Sequence, residues 1–197
     1  MNKYRIESAG NAEHTNSLAT WLQLRQTPGL GDQTFHTLLN AFGSAEAIYR
    51  ASHRQLAEQS VKAEVIEALL NTERPDISAD LEWHQQHDCH HILTLADEAY
   101  PEQLKQLPSA PPVLYVRGDP DYLSQPQLAM VGSRNPTAAG LNNAREFARH
   151  ISDAGITITS GLAAGIDGAS HEGALQGLAG TIAVVAHGLD IVYPAVH

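Results

Sequence analysis

Apolar residues recur every three or four positions from Leu18 to Leu70, and from Leu128 onward they gather into short runs separated by segments of helix length. In the first stretch Leu18, Trp21 and Leu22, then Phe35, Leu38, Leu39 and Phe42, then Val61, Val65, Ile66, Leu69 and Leu70 each follow helical spacing. The spacing predicts a small all-α domain over residues 17–72. Turn chemistry punctuates it. Pro28-Gly29-Leu30-Gly31 permits a tight turn between helices, Asp32 is placed to cap the next helix, and Ser44 after Phe42-Gly43 is a second cap candidate. Residues 1–16 are polar and aperiodic and read as a loose tail. Pro75 and its charged neighbours make 73–79 the linker.

Residues 80–197 form the second predicted domain. A helix is expected over 80–87 and a short strand over 91–95; the β-type run at 113–116, after Pro108-Ser109-Ala110-Pro111-Pro112, is expected as an edge strand or hairpin. From Leu128 the alternation is regular, with strands at 128–131, 156–159 and 181–186 and helices at 138–152 and 168–176. Strands separated by helices of this length connect in parallel, so the fold class is α/β, a βαβαβ sheet preceded by a small all-α domain. A doubly wound sheet normally continues through further strands. The sheet is therefore expected to be truncated at its C-terminal end.

The chain has 197 residues, a formal charge of −10 and a single cysteine, Cys89. Its acidity works against attraction of nucleic acid over the whole surface, so any such contact has to be local. From Gln127 onward the bases are Arg134, Arg145 and Arg149, against Glu146, Asp153, Asp167, Glu172 and Asp190. No apolar run approaches the roughly 20 residues that cross a bilayer. The polar start Met1-Asn2-Lys3-Tyr4-Arg5 has no signal-peptide core. A cytoplasmic protein without membrane association is the expectation, and one thiol excludes an internal disulfide framework.

The candidate chemistry lies in two loops. Val131-Gly132-Ser133-Arg134-Asn135-Pro136 follows the first parallel strand, and Ser160-Gly161-Leu162-Ala163-Ala164-Gly165-Ile166-Asp167 follows the second. Strand ends of this kind bind anions, because the loop backbone and the N–H groups of the next helix converge there. Gly132 lets the backbone approach a ligand, Ser133 offers a hydroxyl, Arg134 supplies a planar fork suited to phosphate oxygens, and Asn135 or Thr137 can cap the helix. Gly161 and Gly165 allow a second close turn. Neither loop is a GxGxxG fingerprint and no Walker lysine loop occurs, which disfavours dinucleotide cofactors and ATP hydrolysis.

Other residues carry weaker signals. Asp167 and His171, four apart on one helical face, could form an acid–base pair, but no nucleophile or metal-ligand set accompanies them, and a structural pairing is the preferred reading. Asp190 is expected to hold loop geometry. His84, His87, Cys89, His90 and His91 fit no zinc-knuckle spacing and read as a histidine-rich surface. Pro28-Gly29-Leu30-Gly31 has two readings, a phosphate contact of the helix-hairpin-helix kind or a helix-packing turn; Asp32, Gln33 and Thr34 stand where basic residues usually follow such a hairpin.

Several ordered motifs carry a resemblance: Asp97-Glu98-Ala99-Tyr100-Pro101 with Leu104; Pro111-Pro112-Val113-Leu114-Tyr115 with Gly118; the two glycine loops with His171; and Gly188-Leu189-Asp190 with Tyr193-Pro194. Through them the sequence resembles the DNA-processing protein A family, DprA or Smf, over nearly the whole chain beyond the tail. The resemblance implies a SAM-like helical domain and a Rossmann-like domain that binds single-stranded DNA and helps to load RecA in natural transformation. It also implies a homodimer, no cofactor and no catalysis. Gly132, Ser133 and Arg134 would form the pocket for the DNA backbone, with Ser160, Gly161 and Leu162 along its second side. Ala164 stands where relatives often carry a basic residue. A competing class is the lysine-decarboxylase-like phosphoribohydrolase, acting on a nucleotide phosphate, but it requires a Pro-Gly-Gly-x-Gly-Thr loop and a glutamate that this sequence does not show. A third possibility is a protein-docking role for the helical domain.

Overall fold

The computed structural model describes residues 8–191, with side chains from Ser17 onward. The chain forms two compact units that divide between Gly118 and Asp119. Unit 1 contains α1 (Ser8–Arg25), α2 (Asp32–Phe42), α3 (Ala45–Arg50), α4 (His53–Glu58), α5 (Ala63–Leu70), α6 (Ser78–Gln86), β1 (His90–Thr94), α7 (Glu102–Lys105) and β2 (Val113–Arg117). The helix-spaced residues enter one core except Leu70, which is exposed; Leu22, Phe35, Leu38, Ile48 and Leu56 are fully buried and Trp21 is stacked on Phe35 at 5.4 Å. Ile77, Ile92 and Val113 are buried in the same cluster. The antiparallel β1–β2 hairpin therefore belongs to the helical unit. For this reason the compact units part at 118/119, whereas the sequence places its linker at 73–79.

Two local expectations change. The backbone is helical from Ser8, so α1 takes in residues 8–16 of the predicted tail; residues 1–7 lie outside the described region. Asp32 is the first residue of α2 and not its cap. Gly31 occupies the cap position in extended conformation with no side-chain hydrogen bond, and Asp32 instead lies 3.6 Å from Arg25. Ser44 does cap α3, accepting the Ala47 N–H at 3.1 Å.

Unit 1 also repeats a turn that the residue types conceal. Between α1 and α2, Gly29 has φ +78°, Leu30 is buried and extended Gly31 starts the helix. Between α4 and α5, Ser60 has φ +58°, Val61 is buried and extended Lys62 starts the helix. Only the first turn has the glycine that a left-handed backbone favours.

Unit 2 holds a 3₁₀ turn (Pro120–Ser124), β3 (Gln127–Ala129), α8 (Ala138–Asp153), β4 (Thr157–Ser160), α9 (Ile166–Ala174) and β5 (Thr181–Ala183). The strands are parallel in the order β3-β4-β5, with Leu128 opposite Ile158 and Ile158 opposite Thr181. This is the expected α/β arrangement. The helices α8 and α9 pack on each other and on β4 through small residues. Ala144, Ala148 and Ala174 are buried, and a methyl group on Gly173 would lie 2.2 Å from the Arg145 carbonyl oxygen.

A buried hydroxyl closes this packing. Ser152, at 0% exposure near the end of α8, donates to the Ala174 carbonyl at 2.9 Å and accepts the N–H groups of Ala179 at 3.1 Å and Gly180 at 3.2 Å. It ties the end of α9 and the entry to β5 to α8. Replacing it removes the donor to Ala174 and takes the hydroxyl acceptor from the half-buried Gly180 amide, while the Ala179 N–H keeps the Ser152 carbonyl at 3.1 Å. Ser152→Ala is expected to destabilise unit 2 by about 1–3 kcal/mol in urea unfolding. Ser60→Gly, which relieves a left-handed backbone at the α4–α5 turn, is expected to leave unit 1 as stable or to raise its stability by up to about 1 kcal/mol in the same measurement.

Candidate functional site

Adjacent parallel strands deliver two loops to one side of the sheet, because β3 and β4 both end there and helices follow both. The first loop runs from Met130 to Thr137, and Gly132, Ser133, Arg134 and Asn135 are all exposed. Ser133 Oγ accepts the Asn135 N–H at 3.1 Å, a local bond that folds the loop back on itself. Thr137, and not Asn135, caps α8, accepting the Gly140 N–H at 3.1 Å.

The second loop is in direct backbone contact with the first. The Ile166 N–H donates to the Ser133 carbonyl at 3.1 Å. Gly165 has φ +93°, and a methyl group there would lie 2.4 Å from the Ser133 oxygen. A methyl on Gly132 would lie 2.7 Å from Ile166 side-chain carbons. Each glycine therefore leaves room for the other loop, and the two loops form one surface. Leu162 adopts φ +61°, an unusual backbone for a residue with a side chain.

The predicted residues thus come together, but not all face outward. Ser160 is 4% exposed, and its hydroxyl donates to the Met130 carbonyl at 2.6 Å, so it fastens the end of β4 to the end of β3. Asp167 is buried, and its Oδ2 accepts the Ala163 N–H at 3.4 Å, closing the second loop over the start of α9. His171 is buried and places Nδ1 2.7 Å from Thr181 Oγ1, whose hydroxyl donates to the Ile158 carbonyl. With the threonine proton given to Ile158, the His171 nitrogen is the donor in that pair. Both residues hold structure. Ile166 is the participant that sequence reasoning missed, since an apolar residue opening a helix carries no sign that it will face a glycine in another loop.

The electrostatics single out one side chain. Arg145 pairs with Glu172 and Arg149 with Glu146. Among the described residues of unit 2, Arg134 is the one arginine without an ion pair, and it is exposed on the first loop.

The remaining candidates sit in unit 1. His84 and His90 point Nδ1 at the carbonyls of His90 and Trp83, and the His90 ring stacks on Trp83 at 4.2 Å. Among the described residues no group of three His, Cys, Asp or Glu side chains is placed to hold a metal ion. At the helical turn, Leu30 is buried and a methyl on Gly29 would lie 3.1 Å from Val65, which gives that turn a packing role. The Asp97 to Pro101 motif builds the β1–β2 connection. Asp97 accepts from the N–H and hydroxyl of Thr94, and buried Tyr100 donates to the Pro111 carbonyl at 2.7 Å. Burial, with the Asp32 carboxylate adding to it, pushes the Tyr100 phenol up to about 12, so it keeps this proton at neutral pH.

A parallel α/β sheet with two touching glycine loops at its strand ends defines a Rossmann-like module. The family model for DNA recombination-mediator protein A matches residues 91–197, just over half of the chain. The chain belongs to that family. It is 36% identical over 183 residues to Protein Smf of Synechocystis, covering 89% of this chain and 46% of that protein. It is 40% identical over 128 residues to Protein Smf of Escherichia coli, covering 65% of this chain and 34% of that protein. The X-ray structure of DNA processing protein A from Streptococcus pneumoniae superposes with a TM-score of 0.72 at 27% identity, covering 90% of this chain and 61% of that one. The chain spans less than half the length of the two Smf relatives. The family match begins at His91, inside β1, and so crosses the division between the compact units. Among the described residues no helix is long and apolar enough to cross a membrane.

The loop contact makes a stability prediction. Gly165→Ala places a methyl against the Ser133 carbonyl in a backbone region that alanine avoids, and is expected to cost about 2 kcal/mol or more. Hydrogen exchange should show faster exchange at Ile166 and Asn135, while α1 to α5 keep their protection.

Proposed function

We propose that the paired loops bind the phosphate backbone of single-stranded DNA, with Gly132, Ser133, Arg134 and Asn135 as the contact surface and Gly161, Leu162 and Gly165 along its second side. The observation that carries this reading is Arg134, the arginine of unit 2 that no carboxylate neutralises among the described residues, held on an exposed loop at a strand end. Ser160 serves the site from below, through Met130. Membership of a recombination-mediator family supports DNA as the source of the phosphate.

The whole protein, on this reading, is a cytoplasmic, nonenzymatic mediator that acts as a homodimer and helps to load RecA during DNA uptake. Asp167 and His171 support the nonenzymatic part, since they hydrogen-bond within the fold to Ala163 and Thr181.

Phosphate contacts release counterions, so binding of a labelled oligo(dT) should weaken as salt rises. Removing one contact by Arg134→Ala is expected to lower affinity about tenfold and to reduce the log–log salt slope by about 0.7. A variant with unchanged affinity and slope would take Arg134 out of the site.

A further inference from the structure

Asp167 places a negative charge against the same loops. The residue is 9% exposed, and Oδ2 lies 3.0 Å from where a methyl group on Gly161 would stand. That oxygen therefore sits on the side-chain face of Gly161, which is itself exposed. Asp167 also directly follows Ile166, whose N–H binds Ser133 and whose side chain closes against Gly132. One carboxylate thus lies under the second loop, next in sequence to the residue that joins this loop to the first. Because it lies in the first turn of α9, it also offsets the partial positive charge of that helix end.

The two loops then carry one unneutralised cation, Arg134, and one carboxylate, Asp167. Such a balance treats phosphates of different charge differently. An internucleotide phosphodiester carries one negative charge, whereas a terminal phosphate monoester, with a second pKa of about 6, carries close to two at neutral pH. The second charge raises the cost of leaving water, and loops whose one cation and one carboxylate nearly cancel return little extra attraction for it.

We propose that Asp167 is a specificity-determining residue of this site, selecting monoanionic phosphodiesters over dianionic terminal phosphates. It makes the loops a reader of polynucleotide backbone and a poor receptor for mononucleotides. The inference rests on the phosphate-binding role of the loops and adds the charge state of the ligand they accept.

The test uses the 197-residue chain and competition against a labelled oligo(dT) that has no terminal phosphate. The competitors are thymidine 5′-monophosphate and its methyl ester, which share base and sugar and differ by one methyl group and one charge. At about pH 8 the methyl ester should compete about tenfold more strongly with the wild-type chain. Asp167→Asn, with an amide oxygen still able to accept the Ala163 N–H, should bring the two competitors within about twofold, mainly by improving the monoester. Asp167→Ser, a small neutral acceptor at the same helix start, serves as a second variant and should behave alike.

Equal competition in the wild-type chain would overturn the proposal whatever the variants do. A wild-type preference that persists undiminished in both neutral variants would overturn it too. If the oligo(dT) binds and only the competitor ratio is flat, the phosphate site stands and the role of Asp167 falls. If the oligo(dT) does not bind the wild-type chain, the phosphate-site reading falls and takes this role with it.

Discussion

The hydrogen bond from the Ile166 N–H to the Ser133 carbonyl makes one surface out of two loops, and it exists because Gly165 has no side chain. The positions of Gly132, Arg134 and Asp167 all depend on it. Without that approach, the first loop would be a short turn carrying an arginine, and the second would be a helix start with an internal carboxylate. The close contact also explains the spacing of the glycines, since Gly132 makes room for the Ile166 side chain while Gly165 makes room for the Ser133 backbone. The Ser160 hydroxyl on Met130 holds the strand ends beneath them in register.

The two units reach stability by different means. Unit 1 buries large side chains, among them Trp21, Phe35 and several leucines, so apolar burial dominates its folding. Unit 2 brings α8 and α9 together through alanine and glycine, and its buried apolar cluster of Ala148, Ile158 and Ala174 is small. Short side chains bury little area but allow backbones to approach closely. Specific hydrogen bonds then matter more, and Ser152 and Thr181 provide them at the points where helix ends meet strand ends. That arrangement leaves the exposed loop residues on a support whose geometry is set largely by backbone groups.

Much of this was legible along the chain. The helical spacing of Leu18 to Leu70, the alternation after Leu128 and the two glycine loops each correspond to an observed element, because local periodicity and turn chemistry act over a few residues. The β1–β2 hairpin was legible as strands, but its membership of the helical unit was not. Ile92 and Val113 look like ordinary strand residues until the core that buries them is in place. The repeated turn at Ser60 is not legible in the sequence for a related reason. Its left-handed backbone is imposed by the packing of Val61 and the flanking helices, and no glycine announces it.

Sequence by itself determined the class of fold, the order of its elements and the presence of two glycine loops at neighbouring strand ends, since these follow from hydrophobic period and from residues with special backbone freedom. Only the tertiary structure decided which side chains in those loops remain available. Ser160 and Asp167 belong to the same motif, yet one is committed to Met130 and the other to Ala163, and two of the three arginines after Gln127 are engaged by glutamates. Partners of that kind are distant in sequence or meet only across a folded helix pair. Packing therefore leaves Arg134 and the exposed backbone around it as the accessible part of the candidate site, with Asp167 buried under Gly161 in the second loop.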